Sequence, residues 1–262
     1  MHDQNHKLAA ISVIKDSYKN VLVHLKSYLI ISYAVMLPLF LIQASAPINM
    51  DPNGSFSWPL TFSLLGASIL LILFAIYLYR LFILSNDQIF KVSINDLMKM
   101  ILKSFLYSIA LGAVLILAYL TLGLLFGLVL SIINSAAGGD PLSGARLANI
   151  ITYSIMLFML IVIFRVQPTF ISIALGHKTI AMKSAYYYTR DNNKNILLIA
   201  LSCYLPLIIS GLLFALNSEV NDANNLISFL ISPLKMLPYA LQLSAGSLIY
   251  KELVMDVAAQ HD

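Results

Sequence analysis

The chain has 262 residues, of which 60% are apolar and only 11% charged, against roughly 45–50% and about 25% in soluble domains. So few charges cannot cover a water-facing surface, which excludes a soluble enzyme and demands the bilayer as a second solvent. The formal net charge of +4 is too small to mark a nucleic-acid partner, and the single cysteine, Cys203, excludes an intrachain disulfide and a cysteine metal site.

In chain order, the N-terminal segment carries Leu8, Ile11, Ile14, Tyr18 and Val21 at helical spacing among lysines, the pattern of an amphipathic helix lying on a membrane surface. The apolar run Val21–Gln43 follows. Ala44-Ser45-Ala46 resembles a signal-peptide cleavage site. Against cleavage stand the long basic region before the run, Pro47 directly after the supposed cut, and the further apolar segments downstream. The run therefore reads as a first spanning helix. Five more follow: Pro59–Leu84, Lys103–Ile133, Leu147–Leu175, Asn195–Leu216 and Leu226–Tyr250. Each has the roughly 20 residues that a helix needs to cross the hydrocarbon core. None alternates as a barrel strand would, so backbone satisfaction in lipid requires helices. The expected fold is all-α, a polytopic membrane bundle of six transmembrane helices with three amphipathic surface helices.

The connections are of two kinds. Ala44–Trp58, Asn134–Arg146 and Asn217–Asn225 are turn-rich and nearly free of basic residues. The others are basic. Of 16 Lys and Arg, only Arg146 and Lys235 fall on the side opposite the N-terminus, so the positive-inside rule places both termini in the cytoplasm. In the middle basic connection Phe90, Ile94, Leu97, Met98 and Ile101 form an apolar stripe opposite Lys91, Asn95, Lys99 and Lys103. Ser93 and Asp96 are spaced as a capping box, with Val92 and Leu97 as its hydrophobic staple. A third surface helix is expected after Thr179 as cap, carrying Tyr186, Tyr187 and Tyr188 at the interface.

An internal echo organises these elements. Lys15–Pro38 matches Lys183–Pro206 without gaps, pairing Tyr18 with Tyr186 and Lys26 with Lys194. The whole chain, 1–262, then reads as one integral membrane domain of three units, about 7–84, 86–175 and 177–253, each a surface helix plus a helical hairpin. Each unit closes on an aromatic-basic pair: Tyr79-Arg80, Phe164-Arg165 and Tyr250-Lys251. Such pairs favour the headgroup level. Lys15, Lys99, Lys183, Arg80, Arg165 and Lys251 are the candidate contacts to anionic lipid headgroups. The same charges also serve as a topology signal, and the sequence leaves both readings open. Lys235 is the one cation in an otherwise apolar helix, placed either to snorkel outward or to meet a substrate or headgroup.

Ala181-Met182-Lys183-Ser184-Ala185-Tyr186-Tyr187-Tyr188-Thr189-Arg190-Asp191-Asn192 resembles a signature of the YciC-type bacterial inner-membrane proteins and of the membrane domain of membrane-bound glycerophosphoryl diester phosphodiesterases. Phe164-Arg165-Val166-Gln167-Pro168 and Ser247–Leu253 are similar to the same group. Ala185 and Asp191 stand where Ser and Gly are usual. The resemblance implies a bacterial inner-membrane module without the soluble catalytic domain of the phosphodiesterases.

Catalytic constellations are missing: there is no His-Glu-x-x-His and no glycine-rich phosphate loop. Asp140–Arg146 is only a faint likeness to a lipid phosphoalcohol transferase motif and reads as a turn. His2, His6, His24, His177 and His261 lie in tails or at the inner interface, so no metal and no cofactor is expected. Gly123, Gly127 and Ser131 form a small-residue stripe, read as a packing seam either within the bundle or between subunits. Pro206, Pro233 and Pro238 can kink the last two helices. The expectation is a non-catalytic inner-membrane protein that organises the membrane or handles lipids or small amphiphiles. The alternative is the permease subunit of an ATP-driven transporter, with a membrane-protein or ATPase partner.

Overall fold

The computed structural model describes residues 8–45, 58–84, 88–136, 141–216 and 232–255, and every regular element among them is helical. The helices are α1 (Ala10–Val23), α2 (Leu25–Ser45), α3 (Trp58–Ile83), α4 (Ile94–Ala136), α5 (Pro141–Ala174), α6 (Met182–Tyr188), α7 (Asn193–Leu216) and α8 (Ser232–Tyr250). A 3₁₀ turn, Arg190–Asn192, joins α6 to α7, and a wide π-helical turn, Lys251–Met255, follows α8. The turn-rich cores of the three acid-side connections, the histidines at both ends and the start of the expected sixth span lie outside the described residues.

Local chemistry fixes several boundaries. At the start of α4 the Ser93 Oγ accepts the Asp96 N–H at 3.1 Å and donates to Asp96 Oδ2 at 2.7 Å, while Val92 and Leu97 pack against the core. This is the expected cap, with the acid gripping the serine hydroxyl. At the end of α5, Gly176 takes φ +73°, and the N–H groups of Gly176 and His177 bond to Ile173 O and Ser172 O, both at 3.0 Å. That is a Schellman closure, and glycine meets its left-handed conformation without Cβ strain.

Three sequence expectations need correction. The middle surface segment is not a separate helix: α4 runs unbroken for 43 residues, because nothing between Lys99 and Lys103 interrupts its ladder. Thr179 does not cap the third surface helix, which starts at Met182 behind Ala181 and is only 7 residues long. In α1 the buried face is Ala10, Val13, Ser17 and Val21, whereas Ile11 is 79% exposed. The small Ala10 and Ser17 allow a close approach to α8, where the Ser244 Oγ donates to Ser17 O at 3.3 Å. Burial follows that fit, not the largest apolar stripe.

The repeat is visible in the bends. α1 meets α2 at 75° around His24, and the matching position in the second copy, Asn192, is the 3₁₀ turn between α6 and α7. The two copies also touch. Asn192 Oδ1 accepts the Leu8 N–H at 2.9 Å, Asn195 Nδ2 donates to Leu8 O at 2.8 Å, and Tyr18 Oη donates to Ser202 O at 2.8 Å.

Among the described residues, three stretches are long and apolar enough to cross a membrane: Leu65–Ile83, Ile94–Val129 and Ser154–Ala174. A fourth is added if the bent pair Ala10–Val23 and Leu25–Pro38 counts as one span. These several long apolar helices mark a membrane protein. The apolar sequence of α8 is broken by Pro233, Lys235, Pro238 and Gln242, yet the helix is continuous and is the hub of the bundle, packed against α1, α2, α3, α5 and α7. Its run Ala240–Ser247 is entirely buried, so protein surrounds its polar positions. α4 is the opposite case. It touches chiefly α3 and α5, and its most apolar stretch contains no buried residue, as a surface facing hydrocarbon requires. The core gathers where α3, α5 and α8 end, around Phe74, Leu78, Phe164, Ile171, Leu241 and Ile249.

Candidate lipid-facing site

Where α4 leans away from the bundle, two cavities follow one another along α3, α4 and α5. The first is an apolar cleft of about 510 Å³ reaching to α8. Its rim is exposed at Ser68, Ser108 and Ile109, and its floor is the buried Ile76, Tyr79, Gln167, Gln242 and Leu243. No ionisable cation or carboxylate lines it. Gln167 is only 3% exposed; its Nε2 donates to Gln242 O at 3.2 Å, and among the described residues its Oε1 accepts no hydrogen bond. Gln242 in turn accepts from Tyr204 Oη at 2.9 Å through its own Oε1. The floor is therefore a fixed polar chain with one open acceptor.

The second cavity is a polar recess of about 440 Å³ at the start of α4 and the end of α5. Among the described residues, Arg80, Lys91, Lys99 and Lys103 line it against one carboxylate, Asp96, with His177 beside them. Asp96 is engaged by Ser93 and by Lys99, whose Nζ lies 3.5 Å from Oδ1 in an exposed pair. Such a surface pair binds weakly, so the recess keeps a positive excess.

The candidate residues from the sequence separate into two groups. Lys15, Lys99, Lys183 and Lys235 are exposed, Lys235 in the first turn of α8. Arg80 and Arg165 are turned inward, with relative exposures of 5% and 3%. The Arg80 guanidinium donates to Gln88 O, Ile89 O and Ala174 O at 2.7, 2.9 and 3.1 Å, tying the connection before α4 to the end of α5. Arg165 packs 3.9 Å above the Tyr186 ring, while its Nε and Nη2 find no acceptor. Tyr79, Phe164 and Tyr250 are buried too, so these aromatic-basic pairs build the core of the bundle. Lys251 is half-buried, and its Nζ donates to Phe82 O at 3.3 Å.

Of the six candidate lipid contacts, only Lys99 and Arg80 share one cavity. Lys91, Lys103 and Gln167 were not among the candidate contacts read from the sequence. The available signal for Gln167 was a lone amide inside an apolar segment, a costly placement in lipid. Among the described residues nothing lies within 4 Å of a Cβ placed on Gly123 or Gly127. Among the described residues no three His, Cys, Asp or Glu side chains come together to hold a metal ion. No family model, no curated protein and no solved structure matches this chain.

Proposed function

We propose that this chain is a non-catalytic protein of a bacterial inner membrane that binds lipids or small amphiphiles within the bilayer. The observation that carries this reading is the cleft over Gln167. An apolar volume with a few convergent polar groups is the usual form of a small-molecule site, and this one opens beside the lipid-facing α4. Under this reading the bundle has six spans, α7 and α8 being the fifth and sixth, and its charge asymmetry puts both termini in the cytoplasm. The resemblance to the YciC-type proteins supports the bacterial assignment. Exposed Lys15, Lys99 and Lys183 then lie within reach of anionic headgroups, each attraction being worth about 1 kcal/mol.

The test is the lipid that survives purification. The wild-type protein, extracted in a mild detergent, should retain lipid or another amphiphile detectable by mass spectrometry. Gly112 lines the cleft, and a Cβ there meets no atom within 4 Å, so Gly112→Leu adds a side chain at the cleft wall. That variant should fold and retain less. Wild-type protein that carries no amphiphile, or equal retention by the two proteins, would exclude the cleft as a binding site.

A further inference from the structure

The two cavities share no lining residue, but they are built from neighbouring residues of the same three helices, and the chemistry changes once between them. On α3, Tyr79 lines the apolar cleft and Arg80 the basic recess. On α4, Ser104 and Phe105 belong to the cleft and Met100 and Lys103 to the recess; on α5, Phe170 belongs to the cleft and Ile173 to the recess. An uncharged, largely apolar cavity and a cationic one thus lie in succession along three helices, and the groove is this pair. From Lys103 to Leu115, the far end of the cleft on α4, the helix rises about 18 Å at about 1.5 Å per residue. That slightly exceeds half of the roughly 30 Å hydrocarbon core.

From this we infer that the groove is a seat for one anionic phospholipid of the adjacent leaflet, its phosphate in the recess and its acyl part in the cleft. The inference rests on the amphiphile-binding reading above and names the class of ligand. Three features select that class. Among the described residues the recess has four cations against one carboxylate, which disfavours a zwitterionic headgroup relative to an anionic one. The cleft carries no charge, which suits an acyl chain and excludes a second ionic group there. The length matches one leaflet, whereas a soluble phosphate would leave the cleft unused. Lys91, Lys99 and Lys103 are the selecting residues. Arg80 is already committed to three backbone carbonyls and sets the positive wall behind them.

The experiment offers detergent-purified wild-type protein an equal mixture of dioleoyl phosphatidylglycerol and dioleoyl phosphatidylcholine and counts bound lipid by native mass spectrometry. Phosphatidylglycerol should be preferred by on the order of tenfold or more at low salt, with the preference shrinking as salt screens the lysines. Lys99→Gln with Lys103→Gln should remove most or all of that preference while total lipid binding persists. These side chains are exposed, so the double variant should fold. Lys19→Gln with Lys194→Gln removes the same charge from the same side without lining either cavity, and should keep the preference. Equal binding of the two lipids, or equal loss in both double variants, overturns the seat and leaves the amphiphile reading intact. Displacement of the lipid by inorganic phosphate at matched ionic strength also overturns it, assigning the recess to a soluble anion. Wild-type protein that binds neither lipid overturns both readings.

Discussion

Gly246 and Gln167 are fitted to one another: a Cβ built on Gly246 would lie 2.3 Å from Gln167 Oε1 and 2.5 Å from its Cδ. The glycine lets the amide lie flat against α8 and reach Gln242 O, which sets the floor of the cleft. Gly246→Ala should drive the amide off that bond and into the cleft. Loss of one buried hydrogen bond predicts about 1 kcal/mol, seen as a melting-temperature drop of roughly 2–4 °C. In a Gln167→Ala background the same substitution should cost almost nothing, because the clashing atoms are gone. Thermal melts of the four proteins in one detergent check this, and additive losses would show that the two residues are independent.

Arg80 makes a second prediction. Its planar fork serves three carbonyls from two segments, and an ammonium cannot reproduce that geometry. Arg80→Lys should therefore lower stability by roughly 2–3 kcal/mol through lost bonds to a charged donor. It should also speed proteolysis of the connection between α3 and α4. A variant with wild-type melting and cleavage would mean that the tie contributes nothing.

The stack of Arg165 on Tyr186 is a third. With Nε and Nη2 buried and lacking acceptors, the ring face is a visible partner of the guanidinium. Tyr186→Phe keeps the ring and should leave the melting temperature unchanged; Tyr186→Leu should lose roughly 1–2 kcal/mol. Equal behaviour of the two variants would mean that the π face is not what matters.

The all-helical class and the longest apolar helices were legible in the sequence, because apolar length is a local property. The cap at Ser93 and Asp96 was legible for the same reason. What was not legible depends on partners distant in sequence. Arg80 and Arg165 look like headgroup cations from their neighbours alone, and only the packing of α3, α5 and α6 turns them inward. Ile11 looks like a buried stripe residue until α8 selects the small Ala10 and Ser17 face. Lys99 was legible as an exposed cation, but the recess that groups it with Lys91 and Lys103 needs the end of α5 folded back beside α4. Gln167 gave a sign in its burial cost, yet the cleft above it is made by four helices that no sequence window contains.

Topology provides the last prediction. A reporter fused after Asp262 or inserted at Lys178 should report the cytoplasm, and one at Gly139 the opposite side. Lys15→Gln, Lys99→Gln and Lys183→Gln together should not change that pattern. The remaining basic residues still lie overwhelmingly on the N-terminal side, and orientation follows the overall Lys and Arg bias. The triple variant should instead lower the anionic fraction of lipid retained by the purified protein, because each exposed cation near the leaflet contributes about 1 kcal/mol of attraction. An unchanged lipid profile would reduce these three lysines to topology signals. A reporter at Lys178 that reads the far side would overturn the six-span arrangement, because α5 must return the chain to the side from which α4 departs.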